Sequence, residues 1–292
     1  MTTRTETGGG TWPQHRRWWT DPVLRPGLII VVGLGLLAVL APVLAPADPA
    51  ALGAAADRLA PPAGNHLLGT DLLGRDVLTR LVHGSRVSLL VGWVSVVVAV
   101  LLGTAVGLAA GLGPGWLDRI LMNTTDAFLA FPRIFLVLLL VSLTTPSLLL
   151  VMTVLGLTGW MGVARLVRAE ALSLRERDFV AAARGLGLPP WRVALWHVLP
   201  NLLPTVIVTA TLRVGSAILA ESFLSFLGLG AQEPVVSWGA MIQQGRDYLL
   251  EGWWLTTFPG LAIALTVIGY NLLGEGLRRR LDPRDLGEGR HG

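Results

Sequence analysis

The sequence predicts an all-α, polytopic membrane protein with six transmembrane helices, and three observations predict it. Of 292 residues, 52% are hydrophobic and only 14% are charged, against roughly 25% charged in an ordinary soluble domain. The mean hydropathy is +0.62. Six separate stretches are long and apolar enough to cross a hydrocarbon core, which takes about 20 residues at about 1.5 Å each. The polar segments between them are short and leave little room for a separate soluble domain.

The elements follow in order. Residues 1–26 are polar and rich in Gly, Thr and Arg, and read as a flexible tail. The first span runs from Leu28 to Leu44. It is longer than the apolar core of a usual signal peptide and five more spans follow, so it reads as uncleaved. In segment 66–86, Leu73, Val77 and Leu81 share one helical face, and Asp76 precedes Arg80 by four residues. That order favours a helical ion pair, and the pattern predicts a short amphipathic helix at the outer interface.

The second span, Val87 to Leu112, carries Gly103, Gly107 and Gly111 at every fourth position. They form a smooth strip on which another helix can approach closely. The third span is Phe128 to Leu143, the fourth Leu148 to Val163, the fifth Leu202 to Leu229 and the sixth Trp254 to Leu273. Trp18, Trp19, Trp116, Trp253 and Trp254 stand beside span ends, where an amphipathic ring prefers the headgroup layer. Residues 27–277 thus read as one membrane domain and 278–292 as a second tail.

Arginine sets the orientation. With the N-terminus inside, the inner segments hold 16 of the 23 arginines and the outer segments five, while Arg133 and Arg213 lie within spans. This excess puts both termini in the cytoplasm. There is no lysine and no cysteine. A phosphate-binding loop needs its lysine, so ATP hydrolysis of that class is excluded, as are Schiff-base and thiol chemistry. The histidines (His15, His66, His83, His197 and His291) are scattered without metal-ligand spacing. No catalytic residue and no metal site is expected.

Two regions remain as candidates for function. The inward segment 165–200 is rich in helix formers up to Ala183, then is broken by Gly187 and restarted by Pro189-Pro190. It predicts a helix, a turn and a second helix that suit docking into a groove on a soluble partner; the plainer reading is a basic loop that enforces topology. Arg213 and Glu221 lie inside the fifth span, where ionisable groups are costly and face the bundle interior or water. Eight residues, roughly 12 Å of rise, prevent a direct pair between them. A substrate-path or gating role and a structural hydrogen bond both remain open for Glu221.

These residues also carry a resemblance. Ala181-Ala182-Ala183, Gly187 and His197-Val198-Leu199-Pro200 resemble the cytoplasmic EAA loop of binding-protein-dependent ABC importer permeases. Ala181 replaces the usual glutamate and His197 the usual isoleucine, with Asp178 and Glu176 nearby as substitutes. Gly69-Thr-Asp-Leu-Leu-Gly-Arg-Asp76, Glu221 to Gly230 with Ser237-Trp-Gly239, and Phe258-Pro-Gly260 with Asn271 to Leu277 and Leu281-Asp-Pro283 complete the set. Together they are similar to the C-type permease of dipeptide, oligopeptide and nickel importers, from about residue 20 to residue 285.

The resemblance implies a type I ABC importer permease fold in the plasma membrane of a prokaryote. It implies partners: a B-type permease, two cytoplasmic ATPases that hold ATP and Mg, and an extracytoplasmic substrate-binding protein, within a lipid bilayer and without nucleic acid. It casts Asp178, Ala181, Ala182, Ala183, Gly187, His197, Leu199 and Pro200 as the ATPase-coupling loop. The substrate implied is a peptide, with nickel chelates and glutathione handled elsewhere in the family. From another class, the competing reading is an ion-gradient-driven transporter, which would place coupling carboxylates near mid-membrane.

Overall fold

The computed structural model describes residues 21–281. Most of the expected tails therefore lie outside the described residues. Twelve α-helices are formed: α1 Leu24–Val39, α2 Ala41–Leu44, α3 Val77–Leu112, α4 Gly115–Leu129, α5 Arg133–Ser142, α6 Leu148–Leu157, α7 Trp160–Arg175, α8 Asp178–Gly185, α9 Pro190–Val193, α10 Leu199–Phe226, α11 Trp238–Gly245 and α12 Trp254–Leu281.

Among the described residues, four rods are long and apolar enough to cross a membrane: α3, α6 with α7, α9 with α10, and α12. The pair α4 and α5 makes a fifth if counted as one, but it is bent by 81°. The remaining expected span is α1, whose 16 residues reach only about 24 Å. Pro132 explains the bend, because it lacks an N–H and drives the preceding residue out of helical geometry. The expected third span begins inside α4 and continues as the short α5.

The expected amphipathic helix at 66–86 is not a separate element. Residues 66–76 form an irregular loop, and 77–86 are the first turns of α3. Asp76 caps that helix by accepting the Thr79 N–H at 2.8 Å, which satisfies an otherwise orphaned donor. The expected Asp76–Arg80 ion pair is replaced by His66 on Asp76 at 3.2 Å and by other partners on Arg80. Trp254 is also corrected: it is buried, not a headgroup anchor, and its Nε1 donates to the Thr70 carbonyl at 3.0 Å.

The glycine strip meets α7. A β-carbon on Gly103 would stand 2.5 Å from the Val163 Cβ, one on Gly107 2.7 Å from the Ala164 carbonyl oxygen, and one on Gly111 2.8 Å from the Ala171 Cβ. Backbones this close gain dispersion over the whole crossing, and only glycine permits it. Around this axis, Leu108, Val163, Val167, Val180, Val193, Val198 and Leu202 form the core that carries the 165–200 segment. At the other end of the molecule, α3, α10, α11 and α12 share the largest core, centred on Trp238 and Ile218.

Candidate functional site

The segment 165–200 folds as helix, turn and helix, but α7 stays helical as far as Arg175, twelve residues past the expected span end. α8 then runs from Asp178 to Gly185, and its chain reverses at Gly187, where φ is +75°. That left-handed conformation strains any residue with a β-carbon. The Gly187 N–H closes on the Arg184 carbonyl at 2.9 Å. Pro190 opens α9, and residues Ala194–Val198 form a π-helical turn before α10. Pro200 lies just beyond with no N–H to give, consistent with a wider turn.

Of the predicted loop residues, Asp178, Ala181, Ala182 and Gly187 are exposed, whereas Ala183 is packed inward with Val180. His197, Leu199 and Pro200 sit at the junction with α10, and the His197 carbonyl accepts from Asn201 at 2.7 Å. Glu176 is exposed and stands 3.6 Å from Arg175. Sequence reading missed the most protruding groups, Leu186 (83% exposed), Trp191, Leu195 and Trp196 (72% exposed). Their interruption of a polar run was the available signal, since exposed apolar clusters mark interaction surfaces.

Arg213 stands at the middle of α10 and lines a cavity of about 430 Å³ between α3, α5, α10 and the break separating α6 from α7. Its Nη1 donates to the Gly159 carbonyl at 3.0 Å. Arg133, at the start of α5, lines the same cavity and donates from Nη2 to the Leu155 carbonyl at 3.0 Å. The Leu155 carbonyl lies in the last turn of α6, where helix carbonyls lose their intrahelical partners, and the Gly159 carbonyl lies at the N-cap of α7. The bend at Pro132 is what brings Arg133 to this depth.

Glu221 does not share that cavity. It is wholly buried and accepts the Ser225 hydroxyl at 2.7 Å and the Ser222 hydroxyl at 3.4 Å. Ser237, which caps α11, reaches Ser225 at 3.4 Å. The geometry supports the hydrogen-bonding reading: the carboxylate ties the end of α10 to the start of α11. Gly239 allows that contact, since a β-carbon there would stand 2.6 Å from the Ser222 Cα.

A second ionic cluster joins the 69–76 loop to residues 233–244. Asp71 receives Arg75 Nε at 2.6 Å, Arg75 Nη1 reaches Glu233 at 3.0 Å, and Arg80 Nη2 donates to Gln244 at 2.9 Å and Glu233 at 3.4 Å. Burial pushes the Glu233 carboxyl up, but the Gln244 amide and the two arginines outweigh it and leave it below the usual carboxylate range. Here every charge has its counterpart, as buried charges require.

A family model, the binding-protein-dependent transport system inner membrane component, matches residues 103–285. The chain belongs to this family. The probable D,D-dipeptide transport system permease protein DdpC of Escherichia coli is 40% identical over 268 residues, 92% of this chain and 90% of that protein. The dipeptide transport system permease protein DppC of Alkalihalophilus pseudofirmus is 41% identical over 258 residues, 88% of this chain and 84% of that one. The inward-facing structure of the MetNI methionine ABC transporter shares the fold, with a TM-score of 0.58 at 18% identity, covering 70% of this chain and 97% of that one.

The protein is therefore a C-type ABC importer permease and a multi-pass component of the plasma membrane. A permease of this family works with ATPase subunits, a further permease and a binding protein. It belongs to a family of transporter components.

Proposed function

We propose that this permease forms, with a B-type partner, the pathway by which peptides enter the cell, driven by two cytoplasmic ATPases that bind ATP and Mg. The observation that carries the reading is the match to dipeptide permeases, 40% identical over 92% of this chain and 41% identical over 88% of it. The arginine distribution supports both termini inside, with α1 and the bent α4–α5 pair completing six crossings.

In this reading the α8–α9 loop is the ATPase-docking element. Its exposed apolar edge, Leu186, Trp191 and Trp196, offers anchors for a groove on the ATPase. Asp178 stands one turn before Ala181 and supplies the acidic contact that alanine lacks. The loop shares a core with α7 and α10, so movement of the docked loop swings the two helices that border the central cavity. Arg213 belongs to the pathway.

A glutathione permease of Pectobacterium atrosepticum, GsiD, is 40% identical over 223 residues, which keeps glutathione, itself a peptide, as a second substrate reading. The ion-gradient reading loses its best coupling group, because Glu221 is sealed among serines. The test is uptake by the assembled importer in proteoliposomes loaded with ATP. ATP-dependent accumulation of labelled dipeptide delivered by the binding protein is expected; gradient-driven accumulation without ATP would overturn the proposal.

A further inference from the structure

The central cavity contains two cations and no anion. Its lining includes Arg133 and Arg213 but no Asp or Glu, and among the described residues no carboxylate forms an ion pair with either. The two like charges line the same cavity. An ionised side chain inside a membrane bundle is costly unless paired or hydrated, and two of one sign compound the cost. Elsewhere the molecule pairs such charges fully, as Arg75 and Arg80 show with Asp71 and Glu233.

Both arginines are held but not satisfied. Arg213 gives one hydrogen bond, to the Gly159 carbonyl, and Arg133 gives one to the Leu155 carbonyl and one, at 3.4 Å, to the Thr158 hydroxyl. A guanidinium has five N–H donors, so several on each remain free. The anchoring bonds tie each group to the break between α6 and α7, and both residues line the cavity.

The surroundings have the same polarity. α5 begins at Arg133 and α7 begins just after Gly159, so two interrupted helices start at the cavity with their positive ends. Interrupted helices whose N-termini border a mid-membrane site favour anionic substrate groups. On α10, Thr209, Arg213 and Ser216 follow at i, i+4 and i+7, a polar stripe on one face of the helix, and all three line the cavity.

We infer that Arg133 and Arg213 together form a carboxylate-binding station in the translocation pathway, which takes the free carboxylate of a peptide in transit. The inference rests on the peptide-import reading above. Because both guanidinium groups border an open cavity and not a sealed pocket, the carboxylate is held by charge-assisted hydrogen bonds yet keeps enough water to leave, as conduction demands.

The test uses the complete importer in proteoliposomes, with labelled Ala-Ala delivered by the binding protein, and compares R133Q and R213Q with R133K and R213K. The readout is peptide imported per ATP hydrolysed, together with subunit stoichiometry. For each glutamine variant a fall of about tenfold in peptide imported per ATP hydrolysed is expected, with subunit stoichiometry as in the wild type. The lysine variants, which keep the charge, should recover most of the yield.

Glutamine variants that import at the wild-type yield would overturn the station, and so would lysine variants as impaired as glutamine. Loss of the second permease from the glutamine complexes would place a partner's carboxylate on the pair and also overturn it. Failure of the wild-type importer to move any peptide, while it hydrolyses ATP, would instead sink the import reading on which the station rests.

Discussion

The Nη2 of Arg213 lies 2.5 Å from the point where a β-carbon on Gly162 would stand. The missing side chain on α7 is thus what lets the guanidinium lie flat against that helix and reach the Gly159 carbonyl. Gly162→Val should push it toward the cavity centre. Because a long side chain can yield, the fold should survive, while a misplaced binding group lowers peptide uptake by about tenfold or more. Uptake and detergent melting temperature measured together check this, and an unchanged uptake rate would contradict the placement.

Gly107→Leu should act on stability instead. Its side chain would enter where a β-carbon already meets the Ala164 carbonyl oxygen and the Val167 Cβ at 2.7 Å, both on a rigid helix. Overpacking of this kind costs about 1–3 kcal/mol. Gly33→Leu is the control, since nothing lies within 4 Å of its added carbon. Chemical or thermal unfolding should separate the two variants clearly.

Gly187→Val should strain the α8–α9 loop, which the proposed function makes the ATPase-docking element. At φ +75° a β-branched residue costs about 1–2 kcal/mol, and the turn relaxes by moving α8 relative to α9. The expected outcome is weaker copurification of the ATPases and a proportionate fall in uptake. Since nothing crowds the site, the effect is conformational, and Gly187→Asn, which tolerates the left-handed region, should be milder.

The Glu233 cluster predicts a pH dependence. Its carboxyl lies below the usual range in the folded protein, so its contribution to stability is full above the unfolded value and is lost as pH falls through the folded one. Wild type should therefore melt higher than Glu233→Gln at pH 7, with the gap closing as the pH drops below the ordinary carboxylate range. A gap that widens on acidification would reverse the sign assigned here.

Much of the loop and packing surface was legible because local chemistry sets it. Gly187 and Pro189-Pro190 announce a turn, and the four-residue glycine repeat announces a helix crossing, because both act through their own backbone. What the repeat could not name was its partner, α7, which lies more than fifty residues away in sequence. Arg133 illustrates the harder case. In sequence it is one arginine inside an apolar run; only the 81° bend after α4 carries it to the cavity that Arg213 lines.

Glu221 shows a case the sequence left open. A carboxylate inside a span suits either a pathway role or a structural hydrogen bond, and Ser222 and Ser225 donate to it, with Ser237 reaching Ser225 from beyond the α10 turn.

The sequence by itself determined the membrane environment, the helical class, the absence of a phosphate-binding lysine and the helix, turn and helix of segment 165–200, since composition and periodicity act locally. The tertiary structure alone decided which charges are paired. Arg75 and Arg80 find Glu233 across more than 150 residues of chain, whereas Arg133 and Arg213 find each other's cavity and no acid. Pairing depends on distance in space, and for charges in a low-dielectric interior that distance separates a structural clamp from a binding site.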